Sequence, residues 1–198
     1  MAAIKLVSEA NVRTYLNFSS TNQDTLIGEL IEQVSEDIQS YCDRTFTAGT
    51  DVLEYPLGGG PYLSLKRFPI TSVSHVRYNS DYDFTDSADD IDSDDYTVAG
   101  NFGDSGLIYY KGKKWTAVED ALEVKYTGGY SDTAGILDVP ADLKKACIMQ
   151  VAYLFDRRKT LGVRTASGQE GSLNFQGDYE FLPPVKGIID RYRRLTIV

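Results

Sequence analysis

Residues 122–158 read LEVKYTGGYSDTAGILDVPADLKKACIMQVAYLFDRR. Two periodicities meet in this stretch. Leu122, Val124 and Tyr126 alternate with Glu123, Lys125 and Thr127, the period-two pattern of a strand. The strand runs into Gly128-Gly129-Tyr130, and a polar loop follows. Val139-Pro140 then opens an amphipathic helix, because the N–H that proline lacks would have no partner in a first turn. Leu143, Ala146, Cys147, Gln150, Val151, Leu154 and Phe155 form its buried side, and Arg157, Arg158 and Lys159 close it. A β-rich middle therefore ends here and a helical frame resumes.

On the N-terminal side the same two patterns recur in reverse order. Ser8 caps a short helix, Glu9 to Leu16, with Val12, Tyr15 and Leu16 as its apolar side. A second helix is expected over Gln23 to Asp43, with Ser20 or Thr21 as its cap. Leu26, Ile27, Leu30, Ile31, Val34, Ile38, Tyr41 and Cys42 recur at helical spacing. Arg44 would complement the negative end of its dipole. From Thr45 the pattern becomes β-like. Val52 to Leu57 and Tyr62 to Leu65 flank Gly58-Gly59-Gly60-Pro61 and predict a hairpin. Further strands are expected at Ser72 to Tyr78, Tyr96 to Val98, Gly106 to Tyr110 and Leu122 to Tyr126, with an acidic loop from Asp81 to Asp95. Residues 160–182 read as a long extended or flexible loop. A last helix begins near Pro183-Pro184, with Val185, Ile188, Ile189 and Tyr192 on one side. The fold class is α+β: about four helices as a core, with an antiparallel β module of residues 50–130 inserted between the second and third. The whole chain, 1–198, reads as a single domain with a C-terminal arm at 191–198.

Composition narrows the function. The chain has 198 residues, 42% apolar and 25% charged, long enough to fold around its own core without metal or disulfide. Cys42 and Cys147 are too far apart in sequence to suggest a metal motif and read as buried free thiols. The start of the chain lacks the apolar run of a signal peptide, and no stretch is apolar enough to span a bilayer, so a soluble intracellular product is expected. Charge is uneven. Residues 1–50 carry three basic and seven acidic side chains (−4), residues 51–140 seven and sixteen (−9), and residues 141–198 ten and six (+4). An acidic middle and a basic end imply two surfaces with different partners, and the balance argues against a sequence-reading DNA binder.

The catalytic inventory is thin. Asp90, Asp92 and Asp94 match the first ligand positions of an EF-hand loop, but Asp95 stands where the turn glycine belongs and Asn101 where a bidentate Glu is needed. A solvated acidic loop is the simpler reading. Gly58-Gly59-Gly60 lacks the lysine of a phosphate-binding loop. His75 is the only histidine and leaves little for base or metal chemistry. No catalytic residues, metal or cofactor are assigned. Two features suggest surfaces instead. Glu29, Glu32, Glu36 and Asp37 line one face of the second helix, a wall beside which a polyanion could slide. Arg191, Tyr192, Arg193, Arg194, Leu195, Thr196, Ile197 and Val198 form a basic, β-prone arm suited either to packing on its own domain or to docking on a partner. A second reading uses Tyr55, Tyr62, Tyr78, Tyr109, Tyr110 and Trp115 as the ligand surface of a β-type binding module on a helical frame.

The order of these elements resembles a known family. Tyr41-Cys42-Asp43-Arg44-Thr45-Phe46 ends the long helix. Leu65-Lys66-Arg67-Phe68-Pro69-Ile70-Thr71-Ser72-Val73, Asp95-Tyr96-Thr97-Val98 and Val124-Lys125-Tyr126-Thr127-Gly128-Gly129-Tyr130 follow, and then Val139-Pro140-Ala141-Asp142-Leu143-Lys144-Lys145-Ala146. Over about residues 6–195 this resembles the head–tail connector (adaptor, or head-completion) proteins of tailed double-stranded DNA bacteriophages and prophages. The resemblance implies a non-enzymatic virion protein, assembled in the host cytoplasm, that forms a ring beneath the portal protein, expected to be a dodecamer. Such a ring extends the DNA channel, docks the stopper or tail-completion protein, and passes double-stranded DNA without sequence-specific binding. No membrane partner is implied. The acidic segment 81–95 and the segment 160–182 are the departures from shorter family members.

Overall fold

The computed structural model describes residues 4–100, 104–158, 165–168, 171–174 and 181–195. The fold is α+β, with four α-helices and antiparallel sheets among the described residues. The chain forms two compact units. A frame unit comprises Met1–Ile38 and Val139–Tyr192, and a β unit comprises Gln39–Asp138 and Arg193–Val198.

In the frame unit, α1 (Glu9–Tyr15) starts at Ser8, whose hydroxyl accepts from the Asn11 N–H while the Asn11 side chain accepts from the Ser8 N–H. That reciprocal pair satisfies donors a helix start leaves open. Of the apolar side expected for α1, Val12 is buried but Tyr15 is 57% exposed, because the helix stops there and Leu16 caps it. Helix α2 (Asp24–Tyr41) buries Ile27, Ile31, Val34 and Ile38. Its start is held by the Thr21 carbonyl, which accepts from the Asp24 N–H, and the Ser20 hydroxyl takes the Asn22 N–H. The helix expected from Val139-Pro140 is α3, Ala141–Arg157, with Pro140 as its N-cap. Leu143, Ala146, Cys147, Val151 and Phe155 are buried along it, and Phe18 stacks on Phe155 at 5.8 Å. Buried Gln150 accepts from the Leu182 N–H at 3.1 Å and so anchors the entry to α4 (Pro183–Ile189), which packs on α3. Both cysteines are free and buried, and burial pushes the Cys147 thiol up to about 12, so it stays protonated.

In the β unit, β6 (Leu122–Gly128) lies between β1 (Gly49–Glu54) and β3 (Ile70–Tyr78), antiparallel to both. A second sheet places β5 (Leu107–Tyr110) between β2 (Tyr62–Ser64) and β4 (Tyr96–Val98). A ribbon of β7 (Asp132–Thr133) and β8 (Ile136–Leu137) precedes α3. Leu63, Leu65, Ile70, Val76, Ile108, Trp115, Leu122, Val124 and Tyr126 form the core. Fully burying an aliphatic or aromatic side chain of this size contributes about 1.5–3 kcal/mol.

Three sequence expectations change. The hairpin around Gly58-Gly59-Gly60 does not form: β1 and β2 belong to different sheets. Pro56 and Pro61 flank the loop and have no N–H to donate beside a turn. The glycine segment instead meets the loop between β5 and β6. Gly59 N–H donates to the Trp115 carbonyl at 3.0 Å, and Trp115 N–H to the Gly60 carbonyl at 2.9 Å. Next, Arg44 is not a solvent-side partner of the helix dipole. It is 5% exposed, donates to the Phe68 carbonyl, and lies over the rings of Phe68 (3.3 Å), Phe46 (4.8 Å) and Tyr130 (5.4 Å). Desolvating a guanidinium is costly, and stacking over ring faces with a carbonyl acceptor offsets that cost. Finally, the segment expected as a loop contains an antiparallel pair, β9 (Thr165–Gly168) with β10 (Gly171–Asn174).

Gly128 and Gly129 explain why β6 ends where it does. A Cβ on Gly128 would meet the Arg67 carbonyl at 2.7 Å and the Pro69 carbonyl at 2.9 Å. Gly129 has φ +99°, and a Cβ there would lie 2.5 Å from the Thr47 carbonyl. The backbone threads between two segments: Gly129 N–H donates to Pro69, and Tyr130 N–H to Phe46. Gly129→Ala therefore lowers stability by about 1–3 kcal/mol from the φ requirement alone, with the clash added. Urea unfolding checks this; an unchanged midpoint would remove the constraint.

Candidate channel and docking surfaces

The acidic face of α2 is solvent-facing. Glu29, Glu36 and Asp37 are exposed, and Glu32 is half-buried. Glu29 and Glu36 sit opposite the buried stripe of Ile27, Ile31, Val34 and Ile38, as helical periodicity demands, and Glu32 and Asp37 flank them on either side. One cation tempers the stripe at its N-terminal end. Lys5 Nζ lies 2.9 Å from Glu9 and 3.4 Å from Glu32. The hydrogen bond to Glu9 raises the Lys5 pKa, and the same bond lowers that of Glu9. Among the described residues Asp37 has no ion-pair partner. Partial burial, and then the charge of Glu36, raise its pKa above its ordinary value.

The C-terminal arm is tied down at its root. Arg191 pairs with Asp142 at 3.1 Å, and the Tyr192 hydroxyl donates to the same carboxylate. Arg194 pairs with Asp43 at 2.8 Å and donates its N–H to the Cys42 carbonyl. Arg193 lies over the Tyr41 ring at 5.3 Å. These contacts are packing on the chain itself. Leu195 remains 54% exposed, and Thr196, Ile197 and Val198 lie outside the described residues.

The six aromatics of the binding-module reading do not share one surface. Trp115 is 2% exposed, with Tyr110 stacked on it at 4.3 Å and Tyr96 tilted against it at 6.3 Å. Tyr62 pairs with Tyr109 at 5.1 Å across β2 and β5. Tyr55 and Tyr78 are exposed. Cross-strand pairing and core burial account for four of the six. The acidic loop is likewise engaged. Asp90 pairs with Arg77 (2.5 Å), Asp95 with Lys113 (2.6 Å), and Asp89 accepts from Asn79 (2.8 Å). Among the described residues no three His, Cys, Asp or Glu are grouped to hold a metal ion, and no helix is long and apolar enough to cross a membrane.

Sequence reading missed two features. Glu123, on the outward side of the alternating pattern, is 6% exposed. It accepts from the Tyr55 hydroxyl at 3.0 Å and lies 3.1 Å from His75 Nε2 and 4.0 Å from Arg77. That bond to Glu123 raises the Tyr55 pKa. The second is an open cleft of about 600 Å³ lined by Tyr55, Tyr82, Phe84, Glu119 and Asp120. No local pattern joins these residues; three separate loops do.

Comparison with known proteins adds the following. A family model described as "Head completion protein" matches residues 5–195. A chain from the solved "Neck of empty GTA particle computed with C6 symmetry" shares 13% identity at a TM-score of 0.56, covering 98% of this chain and 92% of that one. A chain from "Virion of native gene transfer agent (GTA) particle" shares 13% identity at a TM-score of 0.49, with the same coverage of each chain. At such identity the first of these is a likeness of fold. No curated protein matches.

Asp37 has a pH signature. Its folded pKa exceeds its unfolded value, so the folded state holds more protons across that window and stability falls as pH rises through it. Asp37→Asn therefore raises the melting temperature at neutral pH, and the gain vanishes as pH falls to about 4, where the unfolded carboxyl protonates as well. Melting curves between these limits read the sign directly.

Proposed function

This chain belongs to the head completion protein family and is a structural head–tail connector; we propose that its copies form a ring beneath the portal of a tailed particle. The ring extends the DNA channel and docks the stopper or tail-completion protein on its far side. The family match over nearly the whole chain carries this reading. A twelvefold ring is the expected order, matching portal symmetry; a chain of similar fold belongs to a neck computed with C6 symmetry, and a twelvefold ring contains that sixfold axis. The frame unit, the β unit and the C-terminal arm act as one connector subunit. Its work is assembly, not catalysis, and it uses no cofactor.

Glu29, Glu32, Glu36 and Asp37 face the bore in this proposal. Carboxylates repel phosphates and release no condensed counterions, so DNA passes without being held. The repulsion reaches only about 8–10 Å at physiological salt, which makes it a lining effect. Arg191 to Val198 dock on the portal protein. Arg191 and Arg194 brace the arm against Asp142 and Asp43, and the exposed Leu195 leads into the contact. A strong β-former run, Leu195-Thr196-Ile197-Val198, suits addition to a partner's sheet or groove.

Two experiments test this. Truncation after Arg194 keeps both braces and should abolish capture by purified portal; truncation from Arg191 should do the same at some cost in stability. Retained portal binding in both sinks the arm. Separately, Glu29→Lys, Glu32→Lys and Glu36→Lys together should slow DNA packaging or ejection, most at low salt. Unchanged rates would count against the channel assignment.

A further inference from the structure

The cleft on the β unit sets aromatic side chains beside two carboxylates. Tyr55 is pinned through its hydroxyl to Glu123, and Phe84 tilts against its ring at 5.7 Å. Arg77, ion-paired to Asp90, donates to the Phe84 carbonyl at 2.6 Å and fixes that segment. Tyr82 stands beside them with φ +62° and is 57% exposed. A bulky residue rarely adopts this conformation, and burial within the chain does not offset it. Glu119 and Asp120 complete the lining, and among the described residues neither has an ion-pair partner. Aromatic faces beside two carboxylates favour an ammonium or guanidinium group over an apolar or anionic one.

We propose that this cleft receives a lysine side chain from a neighbouring copy of the same chain and forms the head-to-tail contact of the ring, an inference that rests on the ring reading above. Charge complementarity identifies the occupant. Residues 51–140 carry −9, and residues 141–198 carry +4. In that basic part Lys145 on α3 and Lys186 on α4 are exposed and, among the described residues, have no ion-pair partner. A closed ring needs two different, complementary patches on each copy, because a self-complementary patch stops at a dimer. The acidic aromatic cleft is one patch, and the exposed lysines Lys145 and Lys186 supply the other. The contact is salt-sensitive, since both partners lie at the surface.

Sedimentation of the full chain tests it. The wild type should self-associate with concentration, and less so at high salt. Glu119→Gln with Asp120→Asn should weaken association at least about tenfold, as should Lys145→Gln with Lys186→Gln. Tyr82→Ala should weaken it similarly while the melting curve stays cooperative. Mixing the two double variants is the sharpest arm. One keeps its lysines and the other its cleft, so a head-to-tail contact yields one-to-one heterodimers from two chains that are monomeric alone. A wild type that stays monomeric to about 1 mM, or variants that associate like the wild type, overturns the proposal. If such a monomer still binds portal, the connector reading stands without the cleft; loss of portal binding by the wild type would remove the connector reading itself.

Discussion

Where β6 ends there is no room for a side chain, and the β unit is organised around that crowding. Gly128 and Gly129 pass between the carbonyls of Arg67 and Pro69 on one side and of Thr47 on the other. This close approach lets three distant segments share backbone hydrogen bonds: Tyr130 with Phe46, Ala48 with Tyr130, and Gly129 with Pro69. Arg44 then fills the space beside them, its guanidinium among the rings of Phe46, Phe68 and Tyr130. The charge is tolerated inside because a carbonyl and three ring faces replace its water. A glycine pair and a buried arginine thus join the end of α2, the start of β3 and the end of β6 into one block.

The surfaces follow from how charge is distributed over that scaffold. Helix α2 buries its aliphatic stripe, and its carboxylates are left on the opposite side by geometry alone. The β unit concentrates acid in its loops, where Arg77 and Lys113 neutralise part of it. Among the described residues Glu119 and Asp120 have no ion-pair partner, and they line a cleft with Tyr55, Tyr82 and Phe84. The C-terminal arginines are held by Asp142 and Asp43. They act as braces, and Leu195 beside them is exposed. A protein of this kind does its work at interfaces, and the buried groups matter by holding the exposed ones in place.

Much of this was legible along the chain. Residues 96–98 and 141–157 form the strand and helix that their periodicity predicts, because alternation and 3.6-residue spacing are local signals that burial then rewards. The α+β class and the four helices follow from the same patterns. The hairpin around Gly58 to Gly60 failed because strand pairing is not local. A glycine run signals close backbone approach, and only the fold says whether the approaching segment is the next strand or a loop more than fifty residues away. Glu123 was misread for a related reason. A central strand is covered on both faces, so alternation does not mark its exposed side.

The sequence by itself determined the fold class, the order of elements, the amphipathic faces of α2 and α3, the uneven charge and the family to which that order belongs. Each of these depends on neighbours within a few residues or on simple sums along the chain. The tertiary structure alone decided which strands pair with which, the inward turn of Arg44, the bracing of the arm and the cleft that gathers Tyr55, Tyr82, Phe84, Glu119 and Asp120. These depend on which distant segments come within a few ångströms of one another, and that is set by the packing of whole side chains and the pairing of every buried backbone group.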